Sequence, residues 1–276
     1  MTTKFCKPKS PILQNYIEGY YFLSHSENEG PITYYTFPNN FTFLSIVQNT
    51  QFAYAENSVN IQEKPGYPIL CNLICHYKKP IRLTYSGNIS EITIAFKPLG
   101  LNAFLTQPLR TYTNAFFSDF ISFSDIGSIF IDILPETNFE KKCELLEAFW
   151  LSKLIGFQHP YLHQIVDDLK NTHQDLSITK LALKYNTSRQ NLTKQFEMHL
   201  CKSPSMFKKL QRFRTALKLN LEKTPKENLA TMGYDLLFYD QSHLTKDFKS
   251  LTGLTPKNFF KKVSQLEKGT INWVFT

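Results

Sequence analysis

No apolar run in this 276-residue sequence is long enough to cross a bilayer, which takes about 18 consecutive apolar residues. The longest, residues 69–75, is broken by Asn72. The opening MTTKFCKPKSPILQ lacks the apolar stretch of a secretory signal, so a cytoplasmic location without a membrane partner is expected. Cysteines are few, five in all, scattered and odd in number, which fits reduced thiols better than a disulfide framework. The sequence has no phosphate-cradling loop, no Gly-x-Ser-x-Gly and no His-Glu-x-x-His. Its first 110 residues hold only His25 and His76, with no His-x-His, so a metal-dependent barrel enzyme is not expected. No catalytic residue, metal or cofactor is assigned.

What is present is globular: 42% apolar and 20% charged residues, rich in Phe (24) and Tyr (14), with length enough for two domains. The net charge of +8 is unevenly placed. Residues 1–159 hold 12 Lys+Arg and 13 Asp+Glu, a net of −1, and residues 160–276 hold 19 and 10, a net of +9. Such asymmetry points to a polyanion at the second part, against the plainer reading of a basic, soluble surface.

The first 110 residues read as β-rich. Aromatic and β-branched runs at 20–23, 33–37, 42–47, 69–75, 81–85 and 89–96 are separated by turn residues such as Pro38-Asn39-Asn40 and Ser86-Gly87-Asn88. A small barrel or sandwich is expected, with a short helical turn over 10–17. Cys71, Leu73 and Cys75 share one strand face and read as small buried residues. Helical periodicity begins after Pro135: Cys143, Leu146, Phe149, Trp150, Leu154 and Phe157 recur three or four apart until His159-Pro160 breaks the chain. The expected architecture is α+β in two domains: a β-rich sensor or dimerisation domain over 1–135, a helical linker over 136–158, an all-α domain over 159–264 and a tail over 265–276.

Two similar units lie in the basic part. In the first, Ile178, Leu181, Ala182 and Tyr185 form one apolar stripe behind a Ser177 cap. Asn186-Thr187 make a turn, and a second helix capped by Ser188 buries Leu192, Phe196 and Leu200. Its other face carries Arg189, Gln190, Asn191, Thr193 and Lys194. In the second, Leu229, Met232, Gly233 and Leu236 repeat the stripe and Leu237-Phe238 turn. A helix capped near Asp240 then buries Leu244, Phe248 and Leu251, shows Gln241, Ser242, Thr245, Lys246 and Lys249, and ends at Gly253. Between the units, residues 204–221 read as a helix about 27 Å long, opened by Ser203-Pro204. Two short helices with cationic faces, held apart by a third, suit successive major grooves of a duplex, about 34 Å apart. Asp240-Gln241-Ser242-His243 is not a catalytic triad, because helix neighbours point about 100° apart.

Phe238-Tyr239-Asp240-Gln241-Ser242-His243 together with Phe248-Lys249, Thr252-Gly253 and Thr255-Pro256 resembles the signature of AraC/XylS-type transcription regulators. Leu181-Ala182, Ser188 to Leu192 with Phe196, Ser203-Pro204, and Arg214 with Ala216 and Leu217 extend the resemblance over 160–262. It implies a seven-helix, two-headed domain binding double-stranded promoter DNA, with RNA polymerase as a further partner. Leu237 and Cys201 stand where that family has glycine, and Leu244 where it has an aromatic residue. Strand 92–96 followed by Lys97-Pro98-Leu99-Gly100-Leu101 is similar to a cupin-like sensor domain found ahead of some of these regulators. It implies a small-molecule effector, a homodimer, or both. Tyr34, Tyr35, Phe37, Phe41, Phe43 and Tyr54 could line an effector pocket or simply fill a core. A related repair protein joins such a DNA-binding domain to a zinc-held methyl-accepting cysteine, and Cys71 and Cys75 match one half of that set. A methyl acceptor or a cupin-type enzyme fused to a DNA-binding domain is the alternative from another class, and a module that binds an acidic protein is a third.

Overall fold

In the strand Ile89–Phe96, Ile92, Ile94 and Phe96 share one face, and the computed structural model shows what each face meets. It describes residues 1–75, 77–113, 115–171, 176–221, 241–265 and 272–275, with backbone alone at 220–221, 241–244, 264–265 and 272–275. The strands are β1 (Thr2–Cys6), β2 (Ile17–His25), β3 (Ile32–Thr36), β4 (Thr42–Val47), β5 (Thr50–Ala55), β6 (Ser58–Glu63), β7 (Leu70–Ile74), β8 (Ile81–Ser86), β9 (Ile89–Phe96) and β10 (Phe117–Asp119). Two short strands follow the helices, β11 (Ser264–Gln265) and β12 (Asn272–Phe275). They form two sheets, ordered β1-β2-β9-β4-β7-β10 and β11-β12-β3-β8-β6-β5. Pairing is antiparallel except between β6 and β8.

The first sheet is covered on both faces. Ile92, Ile94 and Phe96 of β9, with Leu44, Ile46 and Leu73, pack beneath α1 (Ile126–Ile133) and α2 (Phe139–Lys153). Trp150 is wholly buried there, its ring 5.0 Å from Phe96 and 5.1 Å from Phe149. The opposite face carries Glu91 and Thr93 with Tyr21, Phe43 and Ser45, and looks across at Tyr34 and Tyr85 of the second sheet. The sandwich expected from the turn spacing is therefore present, with helices added as a third layer.

The stretch 136–158 is not a free linker. Cys143, Leu146, Phe149 and Trp150 belong to the same core as the first sheet, so α2 is part of the first domain. Its periodicity was apparent in sequence, but periodicity does not say which surface an apolar stripe covers. After the strand end, Gly100 passes against the backbone of Tyr16 so closely that a Cβ would collide with the Tyr16 carbonyl oxygen, which accounts for glycine in Lys97-Pro98-Leu99-Gly100. The expected helical turn near residue 10 is a 3-10 turn, Leu13–Asn15.

The second domain contains α3 (Leu162–Lys170), α4 (Ile178–Lys184), α5 (Arg189–Leu200), α6 (Pro204–Leu221), α7 (Gln241–Thr252) and α8 (Pro256–Lys262). One core gathers Leu181, Leu192, Phe196, Leu200 and Phe207 with Ile165 and Leu169 of α3. The other gathers Leu210, Phe213 and Leu217 of α6 with Phe248, Leu251 and Phe259. The expected helix over Leu229 to Leu236, the Leu237-Phe238 turn and the Asp240 cap lie outside the described residues.

The tail is not free either. The described strand β12 pairs antiparallel with β3, Val274 opposite Tyr35 and Phe275 opposite Tyr34, so the chain returns from the helical domain to the first.

Candidate nucleic-acid interface and the cavity behind it

Local capping builds the first helix pair. The Ser177 hydroxyl accepts from Lys180 N at 3.2 Å and starts α4. The Ser188 hydroxyl accepts from Asn191 N at 3.1 Å and starts α5. Asn186 takes the left-handed conformation between them, φ 48°, which asparagine tolerates better than most residues. Leu192, Phe196 and Leu200 turn inward and leave the opposite face of α5 to solvent. On that face Arg189, Gln190, Thr193 and Lys194 line one groove with Glu197, Ser203 and Ser205. Among the described residues neither Arg189 nor Lys194 forms an ion pair. Asn191 lies off this face, 100° further round than Gln190. Its amide donates to Tyr161 Oη and Thr187 Oγ1, each at 2.9 Å.

α6 opens as its sequence indicates, with the Ser203 hydroxyl accepting from Met206 N at 3.2 Å and Pro204 in the first turn. Before it, Cys201 holds a left-handed conformation, φ 54°, at the position where the resembling family has glycine. In α7, Lys246 and Lys249 are exposed and Thr245 is half-buried, while the side chains of Gln241 and Ser242 lie outside the described residues. Asp247 is buried between α7 and α6 and meets Lys209 and Arg212, each at 3.2 Å. Two cations of the basic domain are thus used internally, a pairing that no local pattern signals.

The linker helix α6 meets the first domain. Asn40 donates to Phe207 O at 3.0 Å, and Lys202 donates to Asn39 O at 3.0 Å. Arg214 donates to Pro38 O at 3.1 Å and Phe37 O at 2.5 Å. Arg214 therefore caps carbonyls rather than facing a duplex. Phe37, 2% exposed, sits in the second helical core with its ring 4.9 Å from Phe259. Of the six aromatics considered for an effector pocket, Phe37 is thus an interdomain anchor, and Tyr34 and Phe43 line a cavity.

That cavity, about 80 Å³, lies between the two sheets. Its acidic member is Glu91, 6% exposed. Glu91 Oε1 accepts from Ser45 Oγ and Thr93 Oγ1, each at 2.7 Å, and Oε2 accepts from Tyr85 Oη at 2.8 Å. Tyr34 Oη donates in turn to Tyr85 Oη at 3.4 Å. Burial pushes both phenols well above their ordinary pKa, so they keep their protons and act as donors. Sequence reasoning missed Glu91, because Glu91 and Thr93 together make that face of β9 look polar. Ala95 on that same face was the available hint that it too is covered.

The helix pair with an exposed cationic reading face is a helix-turn-helix arrangement. Residues 181–262 match a family described as "Helix-turn-helix domain". No curated protein matches the sequence. Among solved structures the chain is similar to ToxT from Vibrio cholerae in its P21 form, at 13% identity and TM-score 0.46, covering 88% of this chain and 97% of that one. It is similar also to ToxT bound to (E)-4-(8-methylnaphthalen-1-yl)but-3-enoic acid, at 14% identity and TM-score 0.47, covering 88% and 97%. Among the described residues no helix is long and apolar enough to cross a membrane, and no group of three or more His, Cys, Asp and Glu could hold a metal ion.

Proposed function

We propose that the chain is a sequence-specific regulator of transcription initiation whose helices α5 and α7 enter successive major grooves of promoter DNA. The observation that carries this reading is the exposed face of Arg189, Gln190, Thr193 and Lys194, set on a capped helix whose other side is locked into a core. Arginine on such a face reads guanine edges in two-point fashion, and lysines on a neighbouring helix grip phosphates. Arg189, Gln190, Thr193 and Lys194 read the first segment in this scheme, with Asn191 at its margin. Gln241, Ser242, Thr245 and Lys246 meet the second, and Lys249 contacts phosphate. The first domain takes up a small-molecule effector and carries homodimer contacts. RNA polymerase is the further partner, and no catalytic step is assigned to any residue.

Selection of bound duplexes from a random pool tests the reading. A consensus of two segments about one helical turn apart is expected, with affinity falling steeply as salt rises. Equal recovery of all sequences at about 150 mM salt would overturn sequence-specific recognition.

A further inference from the structure

The cavity between the sheets holds a buried acidic group without a cationic partner. Among the described residues its lining includes no Lys, Arg or His, and Glu91 forms no ion pair. Ser45, Thr93 and Tyr85 each donate a hydroxyl hydrogen bond to its carboxyl oxygens. A carboxylate offers about four acceptor sites, so one is left over. Buried charge of one sign is costly unless an opposite charge meets it. The rest of the wall carries six aromatic rings, Tyr21, Tyr34, Phe43, Tyr77, Tyr85 and Phe117, together with aliphatic and hydroxyl side chains. Aromatic faces attract cations, and aromatic rings around a carboxylate are a standard physical solution for holding an ammonium group away from water. About 80 Å³ admits a molecule of only a few heavy atoms.

We infer that this cavity is a binding site for a small organic ammonium ion, held by Glu91 and its surrounding rings. The inference rests on the reading of the first domain as an effector-binding module, and it specifies the chemical class of the effector. The site is also wired toward the helices. Tyr77 and Thr36 line the cavity, their hydroxyls lie 3.3 Å apart, and Tyr77 Oη donates at 2.7 Å to Phe37 O, the oxygen that Arg214 also holds. A cation seated on Glu91 lies one residue contact away from the interdomain anchor.

Calorimetric titration of the full chain with methylammonium, tetramethylammonium and choline tests this, with 3,3-dimethylbutan-1-ol as the neutral counterpart of choline and butyrate as an anion. Saturable binding of at least one ammonium probe is expected, at least tenfold tighter than the neutral alcohol, with none for butyrate. Glu91→Gln keeps the size and removes the charge, and should weaken that probe at least tenfold. Phe43→Leu should weaken the ammonium probe but leave the alcohol unchanged, which gives a second variant should Glu91→Gln fold poorly. Absence of binding by all three ammonium probes, or equal binding of choline and its neutral counterpart, overturns the inference; so does undiminished binding in Glu91→Gln. DNA binding measured on the same preparation separates the two readings: a protein that retains its selected duplex but binds no ammonium ion loses only this inference.

Discussion

The guanidinium of Arg214, in the middle of α6, donates through Nη2 to the backbone carbonyl of Phe37 at 2.5 Å. Burial lowers its pKa to about 10, which leaves it charged at neutral pH. The same carbonyl accepts from Tyr77 Oη at 2.7 Å, so one oxygen of the first domain is shared between a cavity residue and the helix joining the two helical units.

Arg214→Met should therefore loosen the docking of the two domains. Two charge-assisted hydrogen bonds and the packing of the side-chain stem are lost, for a cost of about 2–4 kcal/mol. Calorimetric melting of the variant should separate into two transitions where the parent shows one. A single transition at an unchanged temperature would contradict the role assigned to Arg214.

On a selected duplex, Arg189→Ala should cost about 1–3 kcal/mol and relax preference at one base pair, while Lys249→Ala should weaken all sequences alike and flatten the salt dependence. Quantitative gel shift at several salt concentrations distinguishes them. Unchanged affinity in Arg189→Ala would place the reading face elsewhere on α5.

Lys202 gives a pH signature. Burial pulls its pKa down to about 8, partly countered by the neighbouring Cys75 and Cys201 thiols, while in the unfolded chain it titrates near 10.4. Between these values the unfolded chain binds more protons than the folded one. Stability should therefore climb as pH rises from about 8 to about 10, by about 3 kcal/mol for this group. Lys202→Met removes the ionisable group, and the difference between the two urea-unfolding profiles over that range should vanish below pH 8 in slope, leaving only a constant offset. Parallel profiles throughout would show that Lys202 does not titrate there.

Asp247 holds Lys209 and Arg212 across α6 and α7. Asp247→Ala removes the buried carboxylate that Lys209 and Arg212 share, and should destabilise the second helical unit by about 2–3 kcal/mol. Urea unfolding should register the loss, and hydrogen exchange should localise it to α6 and α7. A change confined to the first domain would sink this account.

Much of the helical domain was legible because its signals are local. Ser177, Ser188 and Ser203 cap helices by bonds from the residue three positions on, and Asn186 and Gly253 turn left-handed where the pattern breaks. The six expected strands are β2, β3, β4, β7, β8 and β9. The β5–β6 hairpin was missed although Val59 and Ile61 alternate with Asn60 and Gln62, because its turn rests on Asn57 at φ 59° rather than on a glycine. Glu91 was missed because burial of the second face of β9 depends on a sheet built from distant residues. Arg214 could be placed on a stripe, but the carbonyls it meets are 176 and 177 positions away. No local pattern encodes such a partner.

Phe37 packs in one core with Phe213, Phe248 and Phe259, its ring against that of Phe259. A fragment cut near residue 159 would carry an open socket lined by those three rings. It would draw solvent or a neighbouring molecule into the gap, so the helical half, excised by itself, is an incomplete object whose missing piece belongs to the other half.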